Sequence, residues 1–242
     1  MDAWKPGVDP LPGVRDAAMA RFNDARAVDT LKTDAKRSYE MRVFMAAAEL
    51  KDLFGELDAA LALLHKATTF AEISALLKLY IINWSSLSDL LAIVLNEVFA
   101  LGIAAQDISL GAILRNAHIR TTEVPQIVKK YGKATQYDRF VRMRNDIVHR
   151  GKLDDDELTQ IHSDLLMEIL ARSGKDIVEN EDAKATMLKQ ARRQSRVRPR
   201  ITELIKSREN EYREQMTSTQ AMLREIAEVL IRRVEAQEFG TA

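Results

Sequence analysis

Residues 142–151 read RMRNDIVHRG. Phe140, Ile147 and Val148 give a helix through this stretch an apolar face, yet two arginines, an asparagine and a histidine interrupt the pattern. Cations at a helix end have a simple physical explanation, because the macrodipole favours them over the last turn. The wheel says more. At about 100° per residue, Tyr137, Phe140, Val141, Met143, Ile147 and Val148 share one arc, with Arg144 near its middle. An unpaired charge is costly there. Asp138, Arg142, Asn145 and His149 form a separate stripe at i, i+4, i+7 and i+11. Arg144 is therefore expected against packed surface, with the Arg142–Asn145–His149 line beside it.

The chain around this stretch is built for helices. Leu, Ala, Glu, Arg and Lys dominate its 242 residues, with only nine Gly and five Pro, a composition that favours helix over sheet. A hydrophobic content of 46% supports a real core. Thirty-six basic residues balance 36 acidic ones, so no global basic footprint announces a nucleic-acid binder. The absence of Cys excludes disulfides, thiolate metal sites and cysteine nucleophiles. The four histidines, His65, His118, His149 and His162, are too scattered to suggest a metal cluster.

The opening MDAWKPGVDPLPGVRD carries charges and prolines where a signal peptide needs an apolar run, so a cytoplasmic protein is expected. Residues 79–104, LYIINWSSLSDLLAIVLNEVFALGIA, are the most apolar segment, but Asp89, Glu97, three serines and two asparagines interrupt them. The stretch falls short of the roughly 18–20 clean residues of a membrane span and reads as a buried helix.

Three regions follow. Residues 1–14, with Pro6, Pro10 and Pro12, read as an extended arm. Residues 15–174 read as a helical bundle: a helix over about 15–66, another over 70–101, short pieces across 102–134, the motif helix over 135–150, and a last helix capped by Asp154–Asp156. That last helix is expected to bury Leu158, Ile161, Leu165, Leu166 and Ile169. Gly151 suits the residue that ends the motif helix. Residues 175–242 read as a charged linker and a C-terminal helical extension whose one apolar stripe, from Ile201 to Val234, packs on the bundle or on another subunit. Its run 184–208 sets nine Lys and Arg against Glu203 alone. Such a run reads as a solvated face or as a contact to RNA phosphates.

The order Arg144-Asn145-x-x-x-His149, ending Val-His-Arg-Gly, resembles the signature of the HEPN superfamily: an arginine, often followed by asparagine, then a histidine a few residues on. The context of two long preceding helices resembles its stand-alone prokaryotic members, over roughly residues 35–173. The resemblance implies an all-α bundle of long antiparallel helices that usually dimerises, bringing two motif helices to one cleft. It further implies a metal-independent endoribonuclease with no cofactor, in a toxin or a stress or antiviral effector. RNA, a second copy of the chain and an antitoxin or other regulatory protein are the expected partners, and a membrane is not. Arg144, Asn145 and His149 match the catalytic motif. Arg142 meets the looser spacing and stays open as the functional arginine. Arg142 and Arg150 are the candidate phosphate ligands.

The side chains suit that chemistry. Cleavage through the RNA 2′-hydroxyl needs a group that moves a proton, which histidine does near neutrality. It also needs a cation to steady the charged phosphorane, which an arginine fork supplies. Arg144 and His149 nevertheless lie about 140° apart on one helix, so a shared site requires an unwound last turn or two subunits. Asp89, on a polar line with Ser85 and Asn96, is the expected structural partner of Arg144. Tyr80 and Trp84 are expected in the core, and the other three histidines at the surface or in caps. Two further readings stand beside the enzyme: a non-catalytic HEPN-like nucleotide- or RNA-binding module, and a helical scaffold or regulatory protein.

Overall fold

The structure, a computed structural model, describes residues 8–24, 30–135, 137–151, 153, 155–173 and 197–236. Nine α-helices and no strand occur among them: α1 (Val14–Asp24), α2 (Thr30–Leu64), α3 (Phe70–Val98), α4 (Leu110–Arg115), α5 (Ala117–Arg120), α6 (Val124–Thr135), α7 (Tyr137–Arg150), α8 (Asp156–Ser173) and α9 (Val197–Ala236). The fold is all-α. The expected single helix over 15–66 is two helices, and residues 25–29 between them lie outside the described residues.

Helices α2 and α3 form an antiparallel pair. Tyr39 Oη donates to the Val98 carbonyl at 2.8 Å, Arg42 pairs with Glu97 at 2.6 Å, and Asn83 reaches Glu56 at 2.9 Å. Thr69 starts α3 with a reciprocal cap: its hydroxyl accepts from the Glu72 amide, and the Glu72 carboxylate accepts from the Thr69 amide. Ser85, Ser86 and Ser88 donate to carbonyls of their own helix, which is how an apolar core helix carries them without orphaned hydroxyls. By length and composition α3 alone among the described helices could cross a membrane. Here Ile73, Leu77, Tyr80, Ile81, Trp84, Leu87, Leu91 and Leu95 are buried in the bundle.

The C-terminal helix, expected to pack on the bundle or on another subunit, packs on the bundle. Helix α9 runs parallel to α3 through the centre of the bundle. Tyr212 stacks on Tyr80 at 4.2 Å near one end, and Arg233 lies over the Phe99 ring near the other. Tyr212, Met216, Met222, Leu223, Ile226, Leu230 and Val234 are all but fully buried. Arg21 of α1 donates to the Glu235 carbonyl at 2.7 Å, satisfying one of the last acceptors of α9. Lys130 and Arg232 join α6 to α9 through Glu225 (2.6 Å) and Glu123 (2.8 Å). The apolar stripe is legible in the sequence; its position at the centre is not, because stripes carry no address.

The N-terminal arm is also tied down where it is described. Leu11 and Val14 are fully buried, and Gly13 takes φ +83° where a Cβ would meet Ile231 Cδ1 at 2.9 Å. Residues 1–7 lie outside the described residues.

Helix α8 is only half the core helix expected. Leu158 and Ile161 are buried, but Leu166 is 46% exposed, and the Ile169 side chain lies outside the described ones. The reason is its outer position: α8 is anchored to α9 largely by Asp164–Arg200 and by Asp155, which pairs with Arg208 at 2.8 Å. Asp155 caps this helix through the Leu158 amide at 3.0 Å, while Asp154 falls outside the described residues.

Candidate functional site

The motif helix α7 packs against α3. Phe140, Met143 and Ile147 are the buried residues among its described side chains, on one side of the wheel. Phe140 sits in an aromatic cluster with Trp84 (5.7 Å), Tyr212 (5.9 Å) and Tyr80 (6.4 Å). Burial pushes the Tyr212 phenol well above its usual value. Arg139, one residue before Phe140, pairs with Glu211 of α9 at 2.5 Å. The motif helix is thus held by both α3 and α9.

The remaining residues face outward. Arg142, Asn145, His149 and Arg150 are exposed, and the stripe they form is turned away from the core. The side chain of Asp138 lies outside the described ones. Val148, which the wheel puts on the apolar arc, is 61% exposed. Among the described side chains the buried sector is narrower than a symmetric arc.

Arg144 occupies the edge of the seam between α7 and α3. Its Nη1 lies 3.5 Å from Asp89 Oδ2, with 34% of the Arg144 side chain and 56% of the Asp89 side chain exposed. The arginine is therefore not pressed into packed surface; it rests on the flank, where its charge keeps part of its hydration. In the last turns of α7, Arg150 pairs with Asp146 at 3.2 Å. The spacing of this pair, i and i+4, is the sequence signal that marks it.

At the end of α7, Gly151 takes φ +65° and its amide donates to the Ile147 carbonyl at 2.9 Å. Lys78 of α3 donates to the Gly151 carbonyl at 2.7 Å. No local signal in the sequence marks Lys78, since its partner is 73 residues away. Two contacts of α3 thus bracket the motif: Asp89 at Arg144 and Lys78 just past His149.

The helix stays regular to Arg150, so Arg144 and His149 project about 140° apart from one chain. The structure brings Arg142, Asn145 and His149 onto one open stripe, and it does not bring Arg144 to them. The other histidines stand elsewhere. His65 pairs with Glu209 at 3.2 Å, His162 stacks on Phe70 at 4.5 Å, and His118 is exposed on α5. No group of three or more His, Asp or Glu side chains suited to a metal ion occurs among the described residues. The basic run 184–208 is described only from Val197 onward, where Arg200 and Arg208 are engaged by carboxylates of α8 and its cap.

A family model described as Cthe2314-like HEPN matches residues 65–204, more than half of the chain. The chain belongs to this HEPN family. The match takes in α3 through α8 and the opening turns of α9, with the Arg144–His149 motif inside it. Helices α1 and α2 and most of α9 lie outside the matched span, so the HEPN segment is completed here by helices from both ends of the chain. No curated protein and no solved structure matches the chain.

Proposed function

We propose that this HEPN protein is a metal-independent endoribonuclease that acts as a homodimer, with the motif residues of α7 as its working groups. The observation that carries the reading is the outward stripe of Arg142, Asn145 and His149 on a helix whose opposite side is locked into the core. An exposed, rigidly mounted imidazole beside cations is suited to a polyanionic substrate and poorly explained by packing. Membership of a family rich in ribonucleases supports the same reading.

In the reaction proposed, His149 moves a proton to or from the reacting oxygens while the ribose 2′-oxygen attacks the adjacent phosphorus. The bond from phosphorus to the 5′-oxygen breaks, and that oxygen leaves with a proton. The products carry a 2′,3′-cyclic phosphate and a 5′-hydroxyl. An arginine fork neutralises the charge that grows on the phosphoryl oxygens. Asn145, four residues before His149, is placed to orient the imidazole or the phosphate. The wide angle between Arg144 and His149 supports a second copy of the chain, whose arginine meets this chain's histidine across an interface. Exposed Leu79 and Val148, at the end of the α3–α7 seam marked by Lys78 and Gly151, suit such a contact.

The test is cleavage of structured RNA in EDTA by the full chain and by His149→Ala, with analysis of the fragment ends. Cleavage by the wild type alone, leaving cyclic phosphates, is the expected result. Equal cleavage by both proteins overturns the assignment, and binding without cleavage favours a non-catalytic RNA-binding module. Growth arrest on expression, relieved by His149→Ala, is the result expected of a cytoplasmic toxin or stress effector.

A further inference from the structure

The cations around α7 differ in how far they are neutralised. Arg139 is paired with Glu211, Arg144 with Asp89 and Arg150 with Asp146, so each faces a carboxylate. Lys78 is different. Its Nζ is held at 2.7 Å by the Gly151 carbonyl, a dipole without net charge. One ammonium proton is used there, and two remain without a partner among the described residues. No carboxylate of the described residues is paired with the Lys78 ammonium, which is held at a fixed point two residues beyond His149.

We propose that Lys78, from α3, is a phosphate-binding residue of the motif site, taking an RNA backbone phosphate beside His149. The inference rests on the RNA reading above and adds a residue from a different helix to it. The bland account is a lysine that caps a helix C-terminus, where cations are favoured anyway. That account predicts an effect on stability alone. A phosphate contact predicts more. An arginine already bound by a carboxylate must surrender that partner before it takes a phosphate, whereas Lys78 can hold Gly151 and a phosphate oxygen together. Fixing the ammonium against the helix end also removes part of the side-chain entropy cost of binding.

The experiment uses the full chain and a fluorescein-labelled 2′-O-methyl RNA of about 20 nucleotides, which has no 2′-hydroxyl to react. Affinity is followed by anisotropy as salt rises, and each phosphate neutralised on a single strand contributes about 0.7 to the slope of log K against log salt. Lys78→Met is expected to weaken binding by roughly three- to tenfold at low salt and to lower the slope by about 0.7. Lys78→Arg is expected to retain both. Thermal melting of each variant confirms a folded chain. Should Lys78→Met bind with the wild-type affinity and slope, Lys78 is a helix cap and the proposal fails alone. Should the folded wild type bind no RNA at any salt, the RNA reading fails and takes this one with it.

Discussion

Arg144 and Asp89 meet at 3.5 Å across the seam between the motif helix and α3, and both side chains remain open to water. An ion pair in that setting contributes at most about 1 kcal/mol to stability, because solvent screens the attraction and two flexible side chains must be ordered. Its larger consequence is for ligand binding. A phosphate approaching Arg144 competes with a carboxylate already in place. Asp89→Asn is expected to change the melting temperature little and to tighten binding of uncleavable RNA several-fold. A strongly destabilised variant with unchanged affinity would show that the pair serves packing instead.

The division of labour between Arg144 and His149 is open to a mixing experiment. In a dimer whose sites each combine Arg144 of one subunit with His149 of the other, Arg144→Ala and His149→Ala are both inactive alone. Mixed and allowed to exchange, they form heterodimers with one intact site, restoring roughly a quarter of wild-type cleavage. If both residues act within one chain, every site stays damaged and the mixture remains dead. If Arg142 is the functional arginine, Arg144→Ala retains activity and the complementation appears with Arg142→Ala.

The cap at the start of α3 carries a pH signature. Hydrogen bonds from the backbone amides of Thr68 and Thr69, then from the Thr69 side chain, hold the Glu72 carboxyl below its ordinary value. A carboxyl whose folded value is depressed contributes stability that is fully present above its unfolded value, about 4.3, and is lost as pH falls through the folded one. Glu72→Gln keeps an acceptor for the cap and removes the titration. Its unfolding midpoint in urea is therefore expected to fall less steeply than that of the wild type between about pH 5 and pH 3. Identical slopes would mean that the cap is already lost before Glu72 protonates.

Two turn residues have opposite predictions. Ala100 follows α3 in the left-handed region, at φ +48°, although it carries a Cβ. Ala100→Gly relieves that strain and is expected to stabilise the protein by up to about 1 kcal/mol, seen as a higher urea midpoint. Gly151 holds φ +65°, and among the described residues beyond its chain neighbours no atom lies within 4 Å of the place a Cβ would take, so the cost of Gly151→Ala is conformational. A loss of about 1 kcal/mol is expected, together with weaker protection of the last amides of α7 in hydrogen exchange.

Much of this fold can be read from local chemistry. The boundaries of α3, α7 and the helix beginning at Asp156 follow from caps, glycines and apolar spacing, all set by neighbours within a turn or two. The outward stripe of Arg142, Asn145 and His149 is legible for the same reason, since the wheel is a property of one helix. What periodicity cannot supply is breadth and address. It places Val148 on the packed arc and Arg144 near the centre of it, whereas among the described side chains of α7 the buried ones are Phe140, Met143 and Ile147. It shows the apolar stripe of the last helix and gives no partner for it.

The sequence by itself determined the helical class, the motif and the face on which its polar residues lie, because those depend on spacing along one helix. The pairing of Asp89 with Arg144 is among the relationships expected from the sequence; only the tertiary structure decided that α9 fills the centre of the bundle, that Lys78 closes the end of the motif helix, and that Arg144 stands at the edge of a seam. Such relationships join residues far apart in the chain, 73 positions for Lys78–Gly151 and 132 for Tyr80–Tyr212, and arise from how apolar stripes choose one another during packing.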